Sequence, residues 1–345
     1  MITLNAGNLW EDRYLDKVIA LNKEYKGIQV TSLFGSIGGL TPTARATDRL
    51  PYRDWDFIAK YTEKAQEAGI AIRYTLNASC IGSLQGFDRD WHSNLTYTCQ
   101  KLHDLGIRQW TVTSPLLCEL IVRLFPNHFV EVSTIAEVAT PEEWKRWESL
   151  GAYGACLSTS INRDFQALKM MTRGEPGGYF SILANEACLY RCPWRRDCYN
   201  LSSHNSIRSS ELFDRYSFSR CQRTRYANPI EWVKSRMVLP QWMKEYTQLT
   251  GISNFKVAFR THPYEVAVPI LEAYMKQEYT GNLINLWPSV APYAGMEEPK
   301  DVISCKRLDD YKFLDYFVGN GHKCKDNVCG LSCLFCVGAY DYAKI

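Results

Sequence analysis

The chain has 345 residues, of which 46% are hydrophobic, 22% charged and 13% aromatic, with 13 cysteines and a formal net charge of +3. Such a composition excludes a disordered or low-complexity chain, and a charge this close to zero gives no argument for a nucleic-acid partner. Charges fall within the first dozen residues, no leader-like apolar stretch opens the chain and no apolar run reaches the ~18 residues of a membrane helix, so a cytoplasmic protein with no membrane partner is expected.

Short β-rich runs alternate with helical spacing from the start. Residues 2–4 read as a brief strand, 12–22 as an amphipathic helix and 28–34 (IQVTSLF) as a second strand. Residues 35–53, rich in Gly, Thr, Pro and Arg, form a long loop. Helical spacing returns over 55–68, with Phe57, Ile58, Tyr61 and Ala65 on one side. A third strand at 71–76 leads to a helix at 91–105, a fourth at 109–113 to a helix at 115–125, and a fifth follows at 129–133. The next helix, 140–150, has a readable start: Thr140 is a good N-cap, Pro141 suits the first helical position and Glu143 completes a capping box. Strand six at 153–158, a helix at 163–171, strand seven at 179–183, a helix around 242–250, strand eight at 254–259 and a helix at 264–279 complete the pattern.

Eight β/α units in order predict a closed parallel (β/α)8 barrel of the TIM type over residues 1–280. A doubly wound sheet, the competing architecture, needs fewer strands and a Gly-rich phosphate loop after strand one, where this chain has NAGNLWE. Two irregularities stand out. An insertion, 184–253, separates strands seven and eight, and a cysteine-rich extension fills 281–345.

Thirteen cysteines in a reducing compartment are not expected to be structural disulfides. Cys80, Cys99, Cys118 and Cys156 are isolated and read as small buried hydrophobes. Cys188, Cys192 and Cys198 lie within eleven residues after strand seven, and Cys221 follows. That is the end of a barrel where active sites are built. Four thiolates there can hold a [4Fe–4S] cluster or a tetrahedral zinc. The gaps contain no paired CxxC knuckle, which favours the larger cluster. Arg191, Arg195 and Arg196 interleave these cysteines and are expected to offset cluster charge and depress the thiol pKa values.

The second group is Cys324, Cys329, Cys333 and Cys336, with Cys305 upstream and unassigned. Cys329, Cys333 and Cys336 have the spacing of the radical-SAM cluster motif, but that motif follows the first barrel strand, and Cys324 offers a fourth thiolate that would close the open iron. A second four-ligand cluster is expected here, with zinc as the alternative.

Five pieces in order resemble the peptidase U32-like family over roughly residues 1–265: NAGN at 5–8, TLNASC at 75–80, STIAEV at 133–138, NEACLYRCPWR with the distant Cys221, and FKVAFRT at 255–261. The chain departs from the family pattern at Asn5, at Phe259 and in its cysteine-rich tail. The resemblance implies a barrel carrying a cluster, in a family named for peptidases but with members associated with oxygen-independent hydroxylation, prephenate being the oxygen donor. An iron–sulfur redox enzyme acting on a small or carboxylated substrate is therefore the first expectation. Glu186 is the proton-transfer candidate. Arg73, Lys256 and Arg260 are the carboxylate clamp. Asn77, Ser114, Ser133, Arg163, Asn185 and His262 are further polar groups at strand ends. The alternatives are a U32-type peptidase, with Cys80 as the one candidate nucleophile, a non-catalytic subunit docked on a homologous partner, and a radical-SAM enzyme. A redox enzyme also requires an electron donor as partner.

Overall fold

The computed structural model describes the chain except residues 82–89, 175–176, 187, 207–215, 260, 288–300, 320–323, 325–328 and 330. Eight strands form one closed barrel in sequence order: β1 (Ile2–Gly7), β2 (Ile28–Gly35), β3 (Ala71–Leu76), β4 (Gln109–Val112), β5 (Phe129–Val132), β6 (Gly154–Cys156), β7 (Tyr179–Leu183) and β8 (Asn254–Val257). The pairs are parallel, and β1 closes onto β8 through Thr3↔Asn254 to Ala6↔Val257. Strands covered on both faces need little alternation, and Val30, Val112, Val130, Ile182 and Phe255 are accordingly buried.

The expected strands over-run the ladder at its carboxyl end. Thr113, Ser133, Ser158 and Phe259 lie beyond their strands, because an extended residue leaving a barrel carries the same apolar pattern as one still paired. Ser133 instead caps the turn Thr134–Ala136, accepting from the Ile135 amide at 3.3 Å. In the other direction, β1 continues past Leu4, since the buried Asn5 finds a partner inside the barrel in the Ser32 hydroxyl, 2.6 Å away.

The helix Pro141–Ser149 starts as its sequence dictates. The Glu143 amide donates to Thr140 Oγ1 at 3.2 Å, and the Thr140 amide donates to Glu143 Oε2 at 3.0 Å. Thr140→Ala should therefore cost about 1 kcal/mol, measured by urea denaturation, while an exposed change nearby, Glu148→Ala, stays within about 0.5 kcal/mol. Cys99, Cys118 and Cys156 are buried, and burial pushes their thiols up, to about 12, 12 and 11. Cys80 is half-buried, and Cys305 lies in the core.

The insertion is helical: Arg195–Asn205, Tyr216–Ala227 and Ile230–Lys234 precede Met243–Thr250, which takes the place of the seventh barrel helix. The tail closes back on itself and on the barrel. Leu283 donates its amide to Ile303 O at 2.8 Å and Ser304 to Ala343 O at 3.0 Å. Trp242 stacks on Phe313 and donates Nε1–H to Asp309 at 2.6 Å. Among the described residues no helix is long and apolar enough to cross a membrane.

Candidate active site

A cavity of about 800 Å³ opens at the carboxyl ends of the strands, within the range of small-molecule sites. Phe34, Asn77, Ser133, Glu186 and Lys256 line it from the ends of five strands, and Cys188, Cys192, Cys198 and Cys221 line it from the insertion. The first sulfur follows β7 directly, and the helices Arg195–Asn205 and Tyr216–Ala227 carry Cys198 and Cys221 back over the mouth. Residues 33 positions apart in sequence thus share one wall.

Two of the four sulfurs are hydrogen-bonded. Cys188 donates to Glu186 Oε1 at 2.6 Å and Cys221 donates to the Phe218 carbonyl at 3.2 Å. Burial, and then the Glu186 carboxylate, push Cys188 well above the ordinary thiol value. Burial, then Cys221 and Cys192, push Cys198 up to about 11. Burial likewise raises Cys192 and Cys221. Burial outweighs Arg195, which lowers the Cys188 and Cys192 thiols as expected of the interleaved arginines. Arg191 and Arg196 are exposed, and Arg195 alone of the three lines the cavity. Among the described residues, no three His, Cys, Asp or Glu side chains close on a single point as ligands of one metal ion.

Arg195 is fixed by two carboxylates, Glu137 at 3.1 Å and Glu186 at 3.6 Å. Glu137 adopts a left-handed backbone, φ 59°, to reach it. That conformation closes the turn Thr134–Ala136, of which Glu137 is the C-cap. Arg225 was not foreseen. It is buried, places Nη2 3.7 Å from the Cys221 sulfur and stacks on Trp232. Its signal lay in the sequence: Cys221 and Arg225 are four apart on one helix, hence neighbours on one face.

The remaining candidates divide. Glu186 lines the cavity with its Oε2 turned toward Arg195. Asn77 also lines it, but Oδ1 accepts from Thr43 Oγ1 at 3.1 Å and the Ala44 amide at 3.2 Å, so Asn77 anchors the loop after β2. Lys256 reaches the cavity while its ammonium donates to Glu131 at 2.7 Å. Arg73 is no part of a clamp at the mouth. It lies near the opposite end of the barrel, bonded to Glu131 at 2.9 Å and to Gln109, against Phe129 and Tyr179. Arg260 lies outside the described residues. In place of Arg73, Arg45 and Arg49 line the cavity from the loop after β2. His262 lines it too, and burial followed by Arg45 pushes it down to about 4, so it is a neutral imidazole. Asn185 does not line the cavity. It brackets the Ala258 peptide at 2.7 and 3.0 Å and donates to Leu286 O at 3.2 Å, tying β8 to the tail. Arg163 faces the tail as well, 4.7 Å from the Phe313 ring, and Ser114 is the N-cap position of the helix Pro115–Leu124. Cys80 is absent from the cavity wall.

No family model matches the chain. The uncharacterized protease MJ1657 of Methanocaldococcus jannaschii is 28% identical over 274 residues, which span 79% of each chain. Among solved structures, the U32 peptidase Mk0906 is 18% identical, with 61% of this chain and 80% of that one covered at a TM-score of 0.49. A chitinase from Rhizomucor miehei is 10% identical, covering 81% and 100% at 0.42.

Proposed function

We propose that the chain, whose motifs resemble the U32-like family and which is 28% identical to an uncharacterized protease, is an iron–sulfur enzyme with its cluster at the barrel mouth. The observation that carries this reading is the convergence of Cys188, Cys192, Cys198 and Cys221 on one cavity that also opens to the strand ends. The donor set fits a [4Fe–4S] cluster: four sulfurs spread around a space, with Arg195 and Arg225 beside them to offset its charge. When bound, the cluster would supply a redox centre or Lewis acid at the mouth.

The chain's own residues supply the rest. Arg45 and Arg49 sit where an anionic, carboxylated small molecule would be held. Glu186, freed from the Cys188 thiol once that sulfur is a thiolate, can hold or pass a proton at Oε1. Phe34, Phe259 and Trp287 line the same space with apolar surface that limits water. Oxygen-independent hydroxylation of such a substrate is the finer reading: the hydroxyl oxygen and the two oxidising equivalents would come from an oxygen-atom donor of the prephenate type, and an electron donor that keeps the cluster reduced, or a homologous partner subunit, would be the protein partner. The cytoplasm is the compartment in which free thiols persist.

Anaerobic purification with iron and sulfide analysis tests this. Cys192→Ser should lose about four irons and four sulfides relative to the unmodified chain. Equal iron in both proteins would sink the proposal.

A second reading, a peptidase, draws on the name of the MJ1657 relative. Against it, Cys80, its candidate nucleophile, does not line the cavity at the barrel mouth. Peptide hydrolysis that persists in metal-free Cys192→Ser protein would put this reading first.

A further inference from the structure

A second charge imbalance lies on the opposite side of the insertion. Arg163 and Arg236 are 5% and 6% exposed, and among the described residues neither is paired with a carboxylate. Arg163 donates Nη2–H to the Val233 carbonyl at 2.9 Å, while its Nε and Nη1 find no hydrogen-bond partner among the described residues. The Nε of Arg236 is likewise without one, and its Nη1 points at the Cys324 sulfur, 3.2 Å away. Aromatic rings cover both: Phe313 and Phe317 lie 4.7 and 5.2 Å from the Arg163 guanidinium, and Tyr190 lies 4.3 Å from that of Arg236. Two like charges buried side by side against rings cost several kcal/mol unless an anion answers them.

The groups able to answer are thiols. Cys324 and Cys336 are the electrostatic partners of Arg163. Cys329 and Cys333 are joined by a short parallel bridge, and the Tyr316 hydroxyl is 3.7 Å from the Cys333 sulfur. Tyr316 in turn stacks on Phe335, beside Cys336. Four thiolates around a doubly charged core, zinc or a [4Fe–4S] cluster, leave a double negative charge, which two guanidinium groups cancel. Zinc–sulfur bonds of about 2.3 Å would draw the sulfurs onto one point. No such point exists among the described residues, and a cluster accepts sulfurs spaced more widely.

We propose that Cys324, Cys329, Cys333 and Cys336 hold a second iron–sulfur cluster, balanced in charge by Arg163 and Arg236 of the barrel and insertion. The site is distinct from the barrel-mouth cavity and does not depend on the reading of that cavity. It is nevertheless adjacent, since Tyr190, two residues after Cys188, donates its hydroxyl to the Cys324 carbonyl at 3.0 Å.

Iron, sulfide and zinc are measured in the anaerobically purified full chain, in Cys333→Ser/Cys336→Ser and in Cys192→Ser. The tail variant should lose about four irons and four sulfides with no change in zinc, independently of the loss in Cys192→Ser. Unchanged iron in the tail variant, or zinc lost in its place, overturns the proposal while leaving the barrel reading intact. Loss only in the tail variant does the reverse. Arg163→Met covers the case in which the tail variant does not fold. Removing a buried cation beside an anionic cluster should shift one reduction potential to more negative values, and Arg163→Lys should restore most of it. A potential unmoved in Arg163→Met counts against the site.

Discussion

Glu131→Gln should destabilise the protein by about 3–5 kcal/mol, because it strands two cations inside the barrel. Glu131 is fully buried on β5, with Arg73 of β3 at 2.9 Å and Lys256 of β8 at 2.7 Å. Ser181 of β7 donates to it at 3.1 Å and Thr111 of β4 at 3.3 Å. One carboxylate therefore ties five strands together. Burial by itself would raise its pKa, but Arg73 and then Lys256 outweigh that and hold it down, at about 2. Because the folded value lies below the ordinary one near 4.5, this group's contribution is complete above that pH and is lost as pH falls toward 2. The variant should thus show a flatter acid limb as well as a lower stability. Urea denaturation at pH 7 and pH 4 measures both, and a loss under about 1 kcal/mol at pH 7 would mean that the two cations find other partners. Lys256 lines the cavity, so the same change should also impair whatever the site binds.

The second large effect belongs to Gly154→Ala. A Cβ at Gly154 would stand 2.2 Å from the Tyr179 carbonyl oxygen and 2.8 Å from Tyr179 Cβ. The nearer atom is β7 backbone, which cannot swing aside as a long side chain can. β6 is three residues long, and Gly154 sits at its junction with both neighbours, opposite Glu131 of β5 and Tyr179 of β7. Relief of the clash must open one of those ladders, so a loss of about 3 kcal/mol or more is expected, at the upper end for overpacking. Gly27→Ala, with nothing within 4 Å of its added methyl, serves as the control and should be close to neutral. Equal thermal stability of the two variants would show that β6 yields more easily than its contacts imply.

The cysteines illustrate what local spacing can reveal. Cys188, Cys192 and Cys198 share a cavity as their proximity in sequence predicted, and Cys221 joins them from a separate helix. Burial raises the Cys188 and Cys192 thiols, and Arg195 opposes it as expected without prevailing. Arginines close in sequence, Arg191 and Arg196, turn to solvent, and the buried guanidinium beside Cys221 comes from Arg225. Which face of a turn reaches the cavity depends on how the insertion packs, and no spacing rule contains that. The polar residues at strand ends divide for the same reason: Glu186 and Lys256 reach the cavity, whereas Asn185 and Arg163 are drawn to the tail.

The sequence by itself determined the number and order of the strands, the start of the helix at Pro141 and the grouping of the cysteines. Those are properties of periodicity, capping and spacing, which act within a few residues. Only the tertiary structure decided that Glu131 gathers charges from across the barrel, that Gly154 leaves no room for a methyl, and that Arg163 and Arg236 meet the tail cysteines. These depend on closure of the barrel and docking of the tail, which bring together residues separated by up to 173 positions, a distance at which pairing is set by packing and electrostatics and not by local pattern.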